Sequence, residues 1–263
     1  MNHMSADHAF ADPAFADPAF ADHFSAAAAD YASARPEYPG ALFAWIASLP
    51  QARARVWEAG CGSGQASRDL AKVFDYVFAT DPSAAQIAQA NGPANITFAV
   101  EPAERCSLPD ASVDAVCVAQ ALHWFDRDVF FAECARVLKP GGVLVACGYQ
   151  DVDPPRKILA AVDAFRSEIA SYWPPERTFI DSAYAQFAWP FANIPVPAFE
   201  MTADWPLARM LGYFSSFSAV KNYREATGRD PVTAYAAAIT AAWGEAETSL
   251  RLQWPLFVQA RRM

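Results

Sequence analysis

With 263 residues, 54% of them hydrophobic and 19% charged, the chain is long enough for one large domain or two small ones and too apolar for global disorder. A net charge of −9 disfavours phosphate backbones and anionic lipid, so neither nucleic acid nor membrane is an expected partner. The charge is uneven: residues 1–24 hold Asp7, Asp12, Asp17 and Asp22 with no Lys or Arg, which leaves −5 for the rest.

This acidic head is a low-complexity tail. Ala-Phe-Ala-Asp-Pro occurs at 9–13 and 14–18, then Ala-Phe-Ala-Asp-His at 19–23. Pro every fifth residue disfavours a helix, and the head lacks the basic start of a secretory signal and the Arg of a mitochondrial presequence. Residues 182–199 are uncharged, but Pro190, Pro195 and Pro197 argue against a membrane span. Cysteines 61, 106, 117, 134 and 147 show neither metal-ligand spacing nor a disulfide framework. A cytoplasmic protein without a metal is expected.

Strand-like runs then alternate with helix-length segments. Arg53–Ala59, Asp75–Thr80, Asn95–Val100, Ser112–Ala119 and Gly142–Gly148 are rich in Val, Phe and Ile. Between them lie helices predicted over Gln65–Phe74, Ser83–Asn91 and Asp128–Leu138, the last ending at the turn Lys139-Pro140-Gly141-Gly142. This alternation predicts a doubly wound α/β fold with a parallel sheet, whose ligands bind beyond the carboxyl ends of the strands.

The first such loop reads Glu58-Ala59-Gly60-Cys61-Gly62-Ser63-Gly64. Glycines here let the backbone bend sharply and approach a ligand, although such turns also simply join strand to helix. The dinucleotide pattern G-x-G-x-x-G fails at Gln65, whereas E-x-G-x-G-x-G is complete. Asp81, after the second strand, is placed to accept hydrogen bonds from a ribose, or merely to cap the next helix.

The segments VWEAGCGSG, ATDPS, PAE at 102–104, DASVDAVCVAQALHWF and RVLKPGGVL occur in that order. Together they resemble the class I S-adenosylmethionine-dependent methyltransferases, in the branch of ubiquinone/menaquinone C-methyltransferases and trans-aconitate methyltransferase. The resemblance spans about residues 31–149. It implies S-adenosyl-L-methionine as cofactor, S-adenosyl-L-homocysteine as product, and a Rossmann-like seven-stranded sheet of five parallel strands plus a terminal antiparallel pair. It also implies that Glu58 and the turn containing Gly60, Cys61, Gly62 and Gly64 line the methionine part. Asp81 would hold the ribose, Pro82, Ser83, Ala103 and Glu104 would border the adenine, and Gln120 would reach the amino end. Tyr31 and Arg35, in the segment Tyr31-Ala-Ser-Ala-Arg35-Pro36-Glu-Tyr38-Pro39, would close over the cofactor carboxylate from an entrance helix at 25–40.

His123 and Trp124, after the fourth strand, offer two directed donors on an apolar wall, or else pack as core. For a carboxylate acceptor His123 would orient the substrate, and for a hydroxyl or ring nitrogen it would act as general base. Past residue 150 the aromatic-rich stretches Asp151–Pro197 and Pro206–Gly244 read as a helical lid, with Trp205, Ser218 and Tyr223 as further pocket candidates. Strands at Ala198–Asp204 and Leu250–Ala260 are expected to complete the sheet. The domain plan is thus a tail at 1–24 and one domain at 25–263: the entrance helix, a cofactor core at 41–149, and the lid with the last two strands at 150–263. A monomeric or homodimeric enzyme acting on a small molecule is expected; a non-catalytic scaffold and a dinucleotide-dependent oxidoreductase are the alternatives.

Overall fold

The computed structural model describes residues 35–263; the repeated tail and Tyr31 lie outside them. The first helix, α1, is Gly40–Ser48, followed by β1 Val56–Ala59, α2 Gln65–Leu70, β2 Val77–Asp81, α3 Ala84–Gln89, β3 Ile96–Val100 and β4 Val113–Ala119. A 3-10 turn at Leu122–Trp124 leads to α4 Arg127–Val137 and β5 Leu138–Tyr149. Of the predicted entrance helix, residues 35–39 are not helical. Pro36 and Pro39 account for this, because a residue preceding proline is pushed out of the helical region.

Strands β1 to β5 are mutually parallel. Every residue of β1 is buried, as expected of a strand covered on both faces. One face packs Leu42, Phe43 and Ile46 of α1 and Leu70 of α2 on Val77, Cys117 and Val145. The other packs Phe130, Cys134 and Val137 of α4 on Trp57, Val116 and Leu144. The strand order β3-β2-β1-β4-β5 reverses direction between β1 and β4, and that switch point opens the crevice where the site forms.

The remaining elements are α5 Arg156–Ile169, α6 Arg177–Asp181, β6 Ala192–Asn193, β7 Thr202–Trp205, α7 Leu207–Ser215, α8 Ser218–Thr227, α9 Pro231–Trp243, β8 Leu250–Gln253 and β9 Leu256–Arg262. The sheet has seven strands, but the late ones differ from expectation. Pro255, which has no amide to donate, divides the expected strand Leu250–Ala260 into β8 and β9. Only β9 joins the sheet, antiparallel to β5, and the two-residue β6 forms the outer edge. The strand expected at Ala198–Asp204 appears as β7 and pairs with β8 in a separate antiparallel ribbon. That ribbon packs with α5, α7, α8 and α9 in a lid core built on Trp205, Trp254, Phe165, Phe214 and Trp243. Among the described residues no helix is long and apolar enough to cross a membrane.

Candidate active site

Beyond β1 the chain turns through Gly60 and Gly62, both with positive φ, at +70° and +54°. A Cβ on Gly60 would come within 2.6 Å of Ala121 Cβ, so glycine serves both the turn and the close approach of the loop after β4. At Gly62 the nearest atom to such a Cβ is Gln86 Oε1 at 3.8 Å, an ordinary contact, so only the left-handed φ calls for glycine there. The amides of Gly60 and Cys61 both donate to the Thr80 carbonyl, at 2.8 and 2.9 Å, and that of Gly64 donates to the Cys61 carbonyl at 2.9 Å. The Gly62 amide donates to Asp81 Oδ2 at 2.9 Å. With these four amides engaged inside the protein, the turn is a poor cradle for a pyrophosphate, which needs free N–H groups.

The loop offers carboxylates instead. Asp81 accepts from Gly62 through one oxygen and from the Ser83 amide, at 2.9 Å, through the other. Burial raises its pKa, the two amides oppose the rise, and each oxygen keeps a further lone pair facing outward. Glu58 is 1% exposed, accepts from the Ser67 hydroxyl, and is pushed up to about 8 by burial. Burial likewise raises the Cys61 thiol. The Asp81 carboxylate at the end of β2 fits a cofactor with a ribose diol, and Glu58 beneath the turn is held largely protonated.

The neighbouring residues of the predicted cofactor set lie on the loops after β2, β3 and β4. Pro82 is half-buried; Ser83 caps α3, its hydroxyl accepting from the Gln86 amide at 3.3 Å. Ala103 is buried, and Glu104 Oε1 accepts from the Asp126 amide at 2.8 Å, tying the loop after β3 to the loop after β4. Gln120, with φ +57°, holds the end of β5: its side-chain NH2 donates to the Tyr149 carbonyl at 3.1 Å and its oxygen accepts from the Tyr149 amide at 2.9 Å.

His123 is 9% exposed, and its Nδ1 lies 3.1 Å from the Tyr184 hydroxyl. Burial, with the Arg177 guanidinium as a smaller cause, lowers its pKa to about 3. Trp124 packs beside it, ring centres 4.8 Å apart. Tyr184 has φ +59°, unusual for a bulky residue, and is held by stacking on Phe187 at 4.9 Å and by the edge of Phe257 at 5.0 Å. Nothing in the local sequence marks Tyr184, which reaches His123 from 61 residues away.

The other predicted residues lie in the lid. Arg35 donates to the Ser216 carbonyl at 3.1 Å and faces the rings of Tyr213 and Phe217 at 5.6 and 5.8 Å. Trp205 is buried between Trp254 and Tyr213, with Arg209 over its ring at 4.4 Å. Ser218 opens α8, and the Tyr223 hydroxyl lies 2.6 Å from Glu168 Oε1 on α5. These three belong to the lid side, whereas His123 and Trp124 lie with Tyr184 against the sheet.

A methyltransferase-domain model matches residues 57–146, from β1 into β5. Over 212 residues the chain is 31% identical to a protein of Dictyostelium discoideum assigned as a methyltransferase, a match covering 79% of this chain and 81% of that one. The chain belongs to the class I S-adenosylmethionine-dependent methyltransferases. A solved structure assigned as a type II methyltransferase, from Anaeromyxobacter dehalogenans, is 44% identical with a TM-score of 0.81, covering 87% of this chain and 97% of that one. An uncharacterized methyltransferase of Mycobacterium tuberculosis is 39% identical over 123 residues, 46% of this methyltransferase and 49% of that protein. Family membership replaces the oxidoreductase and scaffold alternatives: this methyltransferase is an enzyme whose cofactor is S-adenosylmethionine.

Proposed function

We propose that this enzyme methylates a small carboxylate held beside His123. When bound, the cofactor supplies a methyl group activated by its sulfonium. In this reading Glu58 and Gly60–Gly64 border the methionine part, Asp81 accepts from the ribose hydroxyls, and Pro82, Ser83, Ala103 and Glu104 border the adenine. The net charge of −9 supports a small-molecule acceptor over nucleic acid, and five buried, unpaired cysteines support a reducing compartment such as the cytoplasm.

The observation that carries the acceptor class is the Tyr184–His123 pair. Backbone amides of His123 and Leu122 approach the Tyr184 oxygen, so its proton is assigned toward Nδ1 and the imidazole proton to Nε2. A buried imidazole with a pKa of about 3 is too weak a base to deprotonate a hydroxyl, but its Nε2–H can orient an oxygen. A carboxylate is already ionised at neutral pH and needs no base, so alignment with the methyl group and exclusion of water suffice.

The test combines the enzyme, cofactor carrying a tritiated methyl group, and an anionic small-metabolite fraction. A methyl ester releases volatile labelled methanol in alkali, which is the expected result. Label that stays on its acceptor in alkali would rule out carboxylate methylation.

A further inference from the structure

The hydroxyl of Tyr38 is buried and, among the described residues, makes no hydrogen bond. Its ring is fixed, edge-on to Phe43 at 6.2 Å and to Tyr149 at 5.8 Å. Tyr38 packs against both the lid core and the core under α1, so it stands where the two meet. Around its oxygen are Cys147 and Tyr149 at the carboxyl end of β5, Cys117 on β4, and Tyr184. Tyr184 is the residue beside His123, and the backbone of Tyr149 is held by Gln120, so the groups near the hydroxyl are tied to the loop after β4.

A buried hydroxyl without a partner loses its hydrogen bonds to water and regains none, a cost the fold does not offset within itself. The ring packing around Tyr38 would be served equally by Phe. We propose that Tyr38 is a substrate-positioning residue whose hydroxyl donates to an oxygen of the methyl acceptor, opposite the His123–Tyr184 pair. The inference rests on the acceptor lying beside His123. Two donors from opposite walls hold both oxygens of a carboxylate, or the oxygen and ring of a flat acceptor, and thereby fix the angle at which the nucleophile meets the methyl group.

Tyr38→Phe removes the oxygen and keeps the ring. The rate of label transfer from tritiated cofactor to the anionic metabolite fraction is expected to fall about tenfold to a hundredfold. Calorimetric affinity for S-adenosylhomocysteine should stay within about twofold, and Tm should hold or rise, since an unsatisfied polar group is removed. His123→Ala is run in parallel. Loss with His123→Ala but not with Tyr38→Phe overturns this inference alone, and loss with neither removes the acceptor placement on which it rests. A parallel drop in S-adenosylhomocysteine affinity would assign the hydroxyl to the cofactor, and a Tm lowered by more than about 4 °C would show that it is satisfied within the fold; either overturns the proposal.

Discussion

The Tyr184 hydroxyl lies 3.1 Å from Nδ1 of His123, so a residue of the chain after α6 engages a side chain carried by the loop after β4. The contact joins the 3-10 turn at Leu122–Trp124 to the chain after α6, and it engages Nδ1 rather than Nε2.

Tyr184→Phe should therefore act on His123 rather than on the fold. Turnover is expected to fall about tenfold, with S-adenosylhomocysteine affinity unchanged; His123→Ala should cost more, about a hundredfold. The acid limb of the wild-type rate profile should show no titration near pH 6.5, because burial keeps His123 neutral down to about pH 3. A limb at pH 6 to 7 that vanishes in His123→Ala would restore the general-base role.

Stability should depend on Glu58. Burial raises its folded pKa to about 8, above the unfolded value near 4.5. The folded state thus binds the proton more tightly, so this contribution is complete below about pH 4.5 and is lost as pH rises through about 8. The span corresponds to roughly 5 kcal/mol. Glu58→Gln mimics the protonated form and should flatten the decline of Tm between pH 5 and 8. A Tm profile parallel to that of the wild type would contradict the assignment.

Asp81 has two duties that separate by substitution. Asp81→Ala should weaken S-adenosylmethionine binding by about 1 to 3 kcal/mol in calorimetry, through the lost charged acceptor and the freed Gly62 and Ser83 amides. Asp81→Asn keeps one acceptor oxygen and should lose less. Equal affinity in all three proteins would place the ribose elsewhere.

The two glycines should respond differently to alanine. Gly60→Ala sets a Cβ 2.6 Å from Ala121 in a left-handed turn, with an expected stability loss of about 2 to 4 kcal/mol by denaturant unfolding. Gly62→Ala meets nothing nearer than 3.8 Å and should cost only about 1 kcal/mol, while its methyl group takes up space beside the turn and is expected to weaken cofactor binding. Gly62→Ala with wild-type cofactor affinity would show that this space is not used.

The parallel strands were legible because buried strands leave dense apolar runs that end at Gly, Asp or Asn, and the cofactor turn because its glycine spacing is local. The two-residue β6 carries no periodicity at all, and Pro255 splitting one apolar run into two strands of different sheets is a matter of pairing that no single segment records. The arrangement of Gln120 depends on its left-handed backbone, which turns the amide onto Tyr149. Tyr184 escaped notice for a related reason: a tyrosine in an aromatic-rich lid looks like packing until a distant histidine is found beside it. Tyr38 stood within a motif already singled out, but only the missing hydrogen-bond partner of its buried hydroxyl separates it from any other core ring.

Only Trp254 and Pro255 separate the ribbon strand β8 from the sheet strand β9. The Trp254 amide donates to the Met201 carbonyl, and the Gln150 amide donates to the Pro255 carbonyl, each at 2.9 Å. Lid and sheet are thus sewn together through continuous, hydrogen-bonded backbone, with no slack in which a hinge could work. Swinging the helices away as one body would tear strand pairing on both sides of Pro255.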